Sequence, residues 1–273
     1  MKKIAIIGSE GGMSCAYFTG AILALVEKLN LTDPYIVIGS SGSTGTLAYY
    51  VARQYKSIKN IWQNLLSSKK FVSFWRLDEI MDIDYLIDEV FKRQDILDVH
   101  AVKNSNIKFF ISVTNIHNKK LEYISNKDEV DIFEALRASN AAPVAYNKWV
   151  KIRNNQYVDG AIEAPLDVNI KKAKKEGAEI IIAFDNSHHD FIPGFLLELY
   201  SLFIGRYFRK RVKSYVKKTE HHYSDKNILI IKPSITLPTT TLDNNRNRLI
   251  KTMQIGYNDV VNKADLIREL LVK

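Results

Sequence analysis

The chain has 273 residues, 46% hydrophobic and 25% charged, with a single cysteine, Cys15. That length suits one large α/β domain, or two small ones, with a core that needs no staples; one cysteine excludes an internal disulfide and points to a reducing, cytoplasmic setting. The formal net charge of +9 favours anionic partners such as acidic lipid surfaces, phosphorylated substrates or nucleic acid, but no helix-turn-helix, RNP or zinc pattern supports nucleic acid.

Met1-Lys2-Lys3 is a charged start, yet the apolar run after it is short and Gly8-Ser9-Glu10 breaks it. This predicts a buried strand over Lys3 to Ile7 rather than a signal-peptide core. A glycine turn, Gly8 to Gly12, leads into a helix over Ser14 to Leu29. Asp33-Pro34 marks a loop, Tyr35 to Ile38 a second strand, Gly39 to Ser43 a sharp small-residue turn and Thr44 to Gln54 a second helix. Strand, turn and helix repeated in this way predict a parallel sheet with crossover helices. Further on, the spacing predicts a helix over Asp82 to Phe91 and a central strand over Ile107 to Asn115, with Lys120 to Ile124 beside it. A short helix over Ile132 to Ser139 follows, and a strand, Gln156 to Val158, delivers Asp159-Gly160. Val168 to Glu176 reads as helix, Glu179 to Phe184 and Ile228 to Ile231 as strands, and Asp243 to Leu271 as mostly helix. No repeat or linker divides the chain, so one domain over 1–273 is the simplest expectation.

Two turns are candidates for chemistry. Ile38-Gly39-Ser40-Ser41-Gly42-Ser43-Thr44 follows a strand and opens a helix, the context in which a tight turn projects a serine Oγ into the open. The pattern is G-x-S-x-S rather than G-x-S-x-G. A capping loop or a phosphate-binding loop reads similarly, although the missing Lys-Ser/Thr pair excludes a Walker loop. Gly8-Ser9-Glu10-Gly11-Gly12-Met13 lacks G-x-G-x-x-G; its paired glycines suit either backbone N–H groups aimed at an oxyanion or a plain tight turn.

The two turns combined with Asp159-Gly160-Ala161 resemble the patatin-like phospholipase family. The likeness is carried by Glu10-Gly11-Gly12-Met13 with Ala16-Tyr17 and Gly20, by Ile38-Gly39-Ser40-Ser41, by Ala138-Ser139-Asn140-Ala141-Ala142-Pro143, by Tyr157 to Ala161 with Pro165, and by Ile228 to Pro233. The resemblance implies a three-layer αβα fold with a mostly parallel central sheet. It also implies hydrolysis of lipid acyl esters by a dyad, Ser41 as nucleophile and Asp159 as base, with Gly11, Gly12 and Met13 holding the oxyanion and no cofactor. Ser14 and Cys15 stand where the family carries Arg and Gly, Ser43 replaces the elbow's last glycine and Glu10 the loop's first. These departures keep a weak or inactive lipid- or partner-binding relative as the alternative.

His188, His189, His221 and His222 follow Asp159 in the chain and are the only candidates for a histidine-assisted mechanism. Asp185, His188, His189 and Asp190 read as a solvated loop rather than a metal site, and Cys15 reads as a buried small residue. From Phe191 to Tyr223, an apolar stretch precedes seven Lys/Arg set against Glu198 and Glu220. Residues Phe191 to Lys218 read either as a lid or docking element for anionic phospholipid, or as a core helix followed by a solvated basic one.

Overall fold

The computed structural model describes residues 2–76, 79–143, 145–186 and 225–272. The expected segment 191–223 and the four histidines named above lie outside them.

Short runs of Ile and Val build the sheet. Its parallel part comprises β1 (Ile4–Gly8), β2 (Ile36–Gly39), β3 (Lys108–Asn115), β7 (Ile180–Phe184) and β8 (Ile228–Ile231), in the order β3-β2-β1-β7-β8. Three more strands join antiparallel: β4 (Leu121–Ser125) and β6 (Asn155–Asp159) pair with β3, and β5 (Val150–Ile152) pairs with β6. Neighbouring residues alternate between the two faces, and both faces are apolar, as expected for a sheet covered on both sides. Ile6, Val37, Phe109, Ile111, Ile182 and Phe184 join the core under α1 (Ala16–Leu29), α2 (Ser43–Val51) and α5 (Ile132–Asn140). Ala5, Ile7, Ile36, Ile38, Phe110 and Ile181 pack beneath Ile170 and Ala173 of α6 (Leu166–Lys175). This is the three-layer αβα arrangement expected from the sequence.

Every expected element within the described residues is present; two of them differ in form, and further short elements appear between them. The helix expected over Asp82 to Phe91 is wound as a π-helix over Tyr85–Gln94. The helix expected over Asp243 to Leu271 is two, α7 (Arg246–Asn262) and α8 (Ala264–Val272), broken at Lys263 so that Ile267 and Leu270 turn into the core. Two short helices between strands, α3 (Tyr55–Asn60) and α4 (Val99–Asn104), and the strand β5 have too few apolar repeats to be read from periodicity.

The stretch Gly12–Leu29 is long and apolar enough to cross a membrane, but 78% of it is buried inside the fold. It serves as the core helix, and Asn30 ends it in a left-handed conformation, φ 49°. Its partner is α7. The two helices touch backbone to backbone at a pair of glycines. A Cβ on Gly20 would lie 1.8 Å from the Met253 carbonyl oxygen, and one on Gly256 would lie 1.9 Å from that of Tyr17. Tyr17 Oη donates to Asp259 Oδ2 at 3.0 Å and locks the crossing. Gly20→Ala must therefore push α7 away from α1. We expect a loss of about 3 kcal/mol, at the upper end for overpacking because backbone rather than a side chain is in the way; a thermal melt should show a fall of roughly 2–4 °C per kcal/mol.

Candidate active site

The site forms at the carboxyl ends of the parallel strands, where crossover loops gather. Register sets it up: Gly8 of β1 sits beside Gly39 of β2 on one side and beside Phe184 of β7 on the other, while Gly39 sits beside Ile111 of β3. The two glycine-bearing turns therefore leave the sheet side by side. A second register brings in the acid. β4 occupies one edge of β3, so β2 and β6 share the other; β2 ends at Gly39 opposite Ile111, and β6 arrives from the far end with Asp159 opposite Val113.

Ser41 lies on the turn after β2 with φ 54°, a left-handed conformation uncommon for a residue with a Cβ. The turn is held from several sides. Ser43 Oγ accepts from Ser40 N–H at 3.0 Å and lies 2.9 Å from the Ser40 carbonyl and 3.0 Å from that of Gly8. Ser41 N–H donates to Ser139 Oγ at 3.2 Å, and Thr44 Oγ1 donates to the Ser41 carbonyl at 2.7 Å. Below the turn, Ser112 Oγ and Asn169 Nδ2 donate to Ser40 Oγ at 2.7 and 3.0 Å, and Tyr123 Oη donates to Asn169 Oδ1 at 2.7 Å. Helix α2 begins directly behind Ser41, so its N-terminal dipole favours negative charge there.

Ser41 Oγ donates to Asp159 Oδ2 at 2.7 Å. The other oxygen, Oδ1, accepts from Ala161 N–H at 2.8 Å. Asp159 is only 3% exposed. Burial away from water pushes its pKa up to about 7; the hydrogen bonds from Ser41 and Ala161 pull the other way, and the nearby Glu10 carboxylate adds to the rise. The described histidines, His100 and His117, make no hydrogen bond to either residue.

Gly11 and Gly12 have φ 153° and 55°, and a Cβ on Gly12 would lie 2.6 Å from the Thr241 carbonyl oxygen. Their N–H groups donate to no carbonyl or side chain among the described residues. Met13, expected alongside them as an oxyanion donor, differs: its N–H donates to the Thr241 carbonyl at 3.0 Å. Segment 239–241, which pins this loop, lies outside the motifs legible in the sequence. Asn186, at the end of β7, holds the loop from the other side, with Nδ2 donating to the Ser9 carbonyl at 2.9 Å and its N–H to Ser9 Oγ at 2.8 Å. Cys15 is buried, as expected, with Sγ 3.4 Å from Asn186 Nδ2. Ser139 stands in a stretch singled out from the sequence, but its role did not. Ser112 and Asn169, buried polar residues, were not singled out from the sequence. No group of three or more His, Cys, Asp or Glu among the described residues is arranged to hold a metal ion.

A family model described as patatin-like phospholipase matches residues 11–170. The Escherichia coli (strain K12) protein named "Uncharacterized protein YjjU" is 21% identical over 185 residues, 66% of this chain and 51% of that protein. The chain thus spans about half the length of this curated relative. The crystal structure of VipD from Legionella pneumophila superposes with a TM-score of 0.55 at 15% identity, covering 97% of this chain and 67% of that one, a likeness of fold.

The buried carboxyl has a consequence for stability. In an unfolded chain an aspartate ionises near pH ~4, whereas in the fold Asp159 keeps its proton to about 7. Between those values the folded state binds the extra proton, so stability falls as pH rises through this window and levels off above it. Asp159→Asn keeps the shape without the ionisation. Denaturant titrations should find the variant more stable than the parent at pH 8, by on the order of 4 kcal/mol at most, with the gap closing towards pH 4. A gap independent of pH would contradict the buried, proton-holding carboxyl.

Proposed function

The chain belongs to the patatin-like phospholipase family, and on that premise we propose that it hydrolyses acyl esters of lipids, as a phospholipase A or lysophospholipase, through a Ser41–Asp159 dyad. The observation that carries this reading is the 2.7 Å hydrogen bond from Ser41 Oγ to a buried Asp159 whose pKa lies at about 7. A base is most useful when its pKa is close to the working pH, and burial supplies that without a histidine. A left-handed serine at the start of a helix is the usual seat of a nucleophile of this kind.

The steps follow from these positions. Ser41 Oγ attacks the ester carbonyl carbon while its proton passes to Asp159 Oδ2. The carbonyl oxygen becomes an oxyanion, stabilised by the N–H groups of Gly11 and Gly12 and by the start of α2. Met13 would join them only by giving up Thr241. Collapse breaks the ester C–O bond, and the departing alcohol takes the proton from Asp159, leaving an acyl-serine. Water then attacks this ester, giving its proton to Asp159. The second collapse frees the fatty acid and returns that proton to Ser41.

This reading takes 1–273 as a single acyl hydrolase unit, because residues beyond the matched span take part: Thr241 pins the Gly12 turn and α7 backs α1. It keeps a cytoplasmic setting and a phospholipid or other acyl-ester substrate, with contact to anionic membrane through Phe191–Lys218 as an additional proposal outside the described residues. No step requires a cofactor. An inactive binding relative remains the alternative, and labelling separates the two: a fluorophosphonate should modify Ser41 in the parent and leave Ser41→Ala unlabelled.

Turnover of a short-chain p-nitrophenyl ester and of a phospholipid is expected to drop at least about a thousandfold in Ser41→Ala and in Asp159→Asn, with folding intact. Because the base must be ionised, kcat/KM of the parent should rise with pH through about 7 and then flatten. Equal turnover in Ser41→Ala would remove the dyad.

A further inference from the structure

The protein has three tryptophans, and they sit in opposite settings. Trp62 is 5% exposed and donates its indole N–H to Thr46 Oγ1 at 3.0 Å. Trp75 is 94% exposed, and beside it Phe74 is 65% and Trp149 63% exposed. Single apolar side chains on a surface need no explanation; three large aromatics on two segments bonded to each other do.

The turns that carry them are well braced. Val72 and Met81 bridge antiparallel, and Ser73 N–H donates to the Ile80 carbonyl at 2.8 Å. Arg76 ties the turn together, with Nη2 donating to the Phe71 carbonyl at 2.9 Å and Nε to that of Glu79 at 3.0 Å. The segment that precedes Trp149 is tied to this hairpin: Lys148 forms an ion pair with Glu79, and Met81 N–H donates to the Ala145 carbonyl at 2.9 Å. Phe74 and Trp75 are therefore carried by a segment anchored at Val72, Ser73 and Arg76.

The hairpin is also tied to both walls of the site. On one side, Ala145 and Tyr146 bond back to the Ala142 carbonyl, and the preceding Ala141 carbonyl accepts the Asp159 N–H at 3.0 Å. On the other, Asn244 Nδ2 donates to the Val72 carbonyl at 3.0 Å, three residues after the Thr241 that pins the Gly12 turn. At the base of the hairpin, Lys69 and Lys70 are both exposed.

We propose that Phe74, Trp75 and Trp149 form an insertion surface for an anionic phospholipid interface and hold the mouth of the Ser41–Asp159 site against it. Indole and phenyl rings settle where one end is apolar and the other wet, at the headgroup level of a bilayer. Lys69 and Lys70, exposed at the base of the hairpin, complement an anionic leaflet. The proposal takes its partner from the lipid acyl hydrolase reading, and is independent of any contact made by Phe191–Lys218. A second copy of the chain is the competing occupant of the same rings.

The test uses full-length Ser41→Ala protein, so that lipid is bound and not consumed, with vesicles of phosphatidylcholine and phosphatidylglycerol. In a Trp149→Phe background, Trp75 is the one exposed indole and Trp62 a constant buried signal. Adding vesicles should shift its emission to the blue, and lipids brominated along the acyl chain should quench it. Phe74→Ser with Trp75→Ser should weaken vesicle binding by about tenfold or more, and Trp75→Phe should restore most of it. A Trp75 emission that neither shifts nor quenches while the protein sediments with vesicles overturns the proposal. So does a concentration-dependent dimer that the double serine variant abolishes without any change in vesicle binding. Turnover of a soluble p-nitrophenyl ester by the parent is read separately: its absence would sink the hydrolase reading, whereas Trp75 insertion into vesicles answers for the docking surface alone.

Discussion

The hydrogen bond from Ser41 Oγ to Asp159 Oδ2 joins residues 118 positions apart, and it exists because β2 and β6 meet end to end along one edge of β3. A parallel strand coming up from below and an antiparallel strand coming down from above cannot both continue. Where they stop, the chain must turn out of the sheet, and both turns occupy the same gap opposite Ser112. Gly39 opposite Ile111 and Asp159 opposite Val113 define that gap to within one residue. A slip of one position in either pairing would reverse which face each side chain points to and separate the pair. The polar network of Ser40, Ser112 and Asn169 lies directly beneath the gap, on the α6 face, where these buried side chains satisfy one another.

Such a junction carries two local costs. A serine holds a left-handed φ, and a carboxyl is enclosed where ionisation is unfavourable. Neither is relieved locally, since the Ser41–Asp159 hydrogen bond favours the charged acid but leaves its pKa at about 7. The stabilising part of the molecule lies elsewhere: in the doubly covered parallel sheet and in the backbone contact of α1 with α7. The rigid sheet and the strained edge are thus separate regions linked through register. That separation explains why a substitution such as Asp159→Asn is expected to relieve the fold while it disables the chemistry.

Much of this was legible from the order of residues. Strand, small-residue turn and helix occur twice in the first fifty positions, and a chain of short Ile-rich runs with helices between them has few alternatives to a parallel sheet. Ser41 and Asp159 were readable as a pair only through family likeness, because nothing local in Tyr157-Val158-Asp159 says which strand edge it will meet. Long-range pairing is the part that periodicity does not encode. The same reason hid Thr241, whose carbonyl takes the Met13 N–H, and Asn186, which grips Ser9. Each lies in a stretch with no pattern of its own; Thr241 acts through its backbone carbonyl, Asn186 through its side-chain amide and its backbone N–H. The π-wound segment Tyr85–Gln94 shows the opposite limit, in which apolar spacing announced a helix correctly and missed its pitch.

The departures from the family pattern make sense in terms of where each side chain goes. Ser43 does not adopt a positive φ, so this position requires smallness rather than the freedom of glycine. The room is provided across the gap: a Cβ on Gly8 would lie 2.7 Å from that of Ser43, and Ser43 Oγ uses the opening to reach the Gly8 and Ser40 carbonyls. Cys15 repeats the arrangement, with its Sγ 3.1 Å from where a Gly42 Cβ would be. In both cases a larger residue on one turn is matched by a glycine on the facing turn, so the two turns keep their close approach with the bulk exchanged between them. Ser14 also points inward, with its hydroxyl 3.4 Å from the Thr239 carbonyl. These three of the four departures, Ser43, Cys15 and Ser14, thus point into the contact between the turns. The N–H groups of Gly11 and Gly12 and the Oγ of Ser41, on which the proposed chemistry depends, are left in place by every one of them.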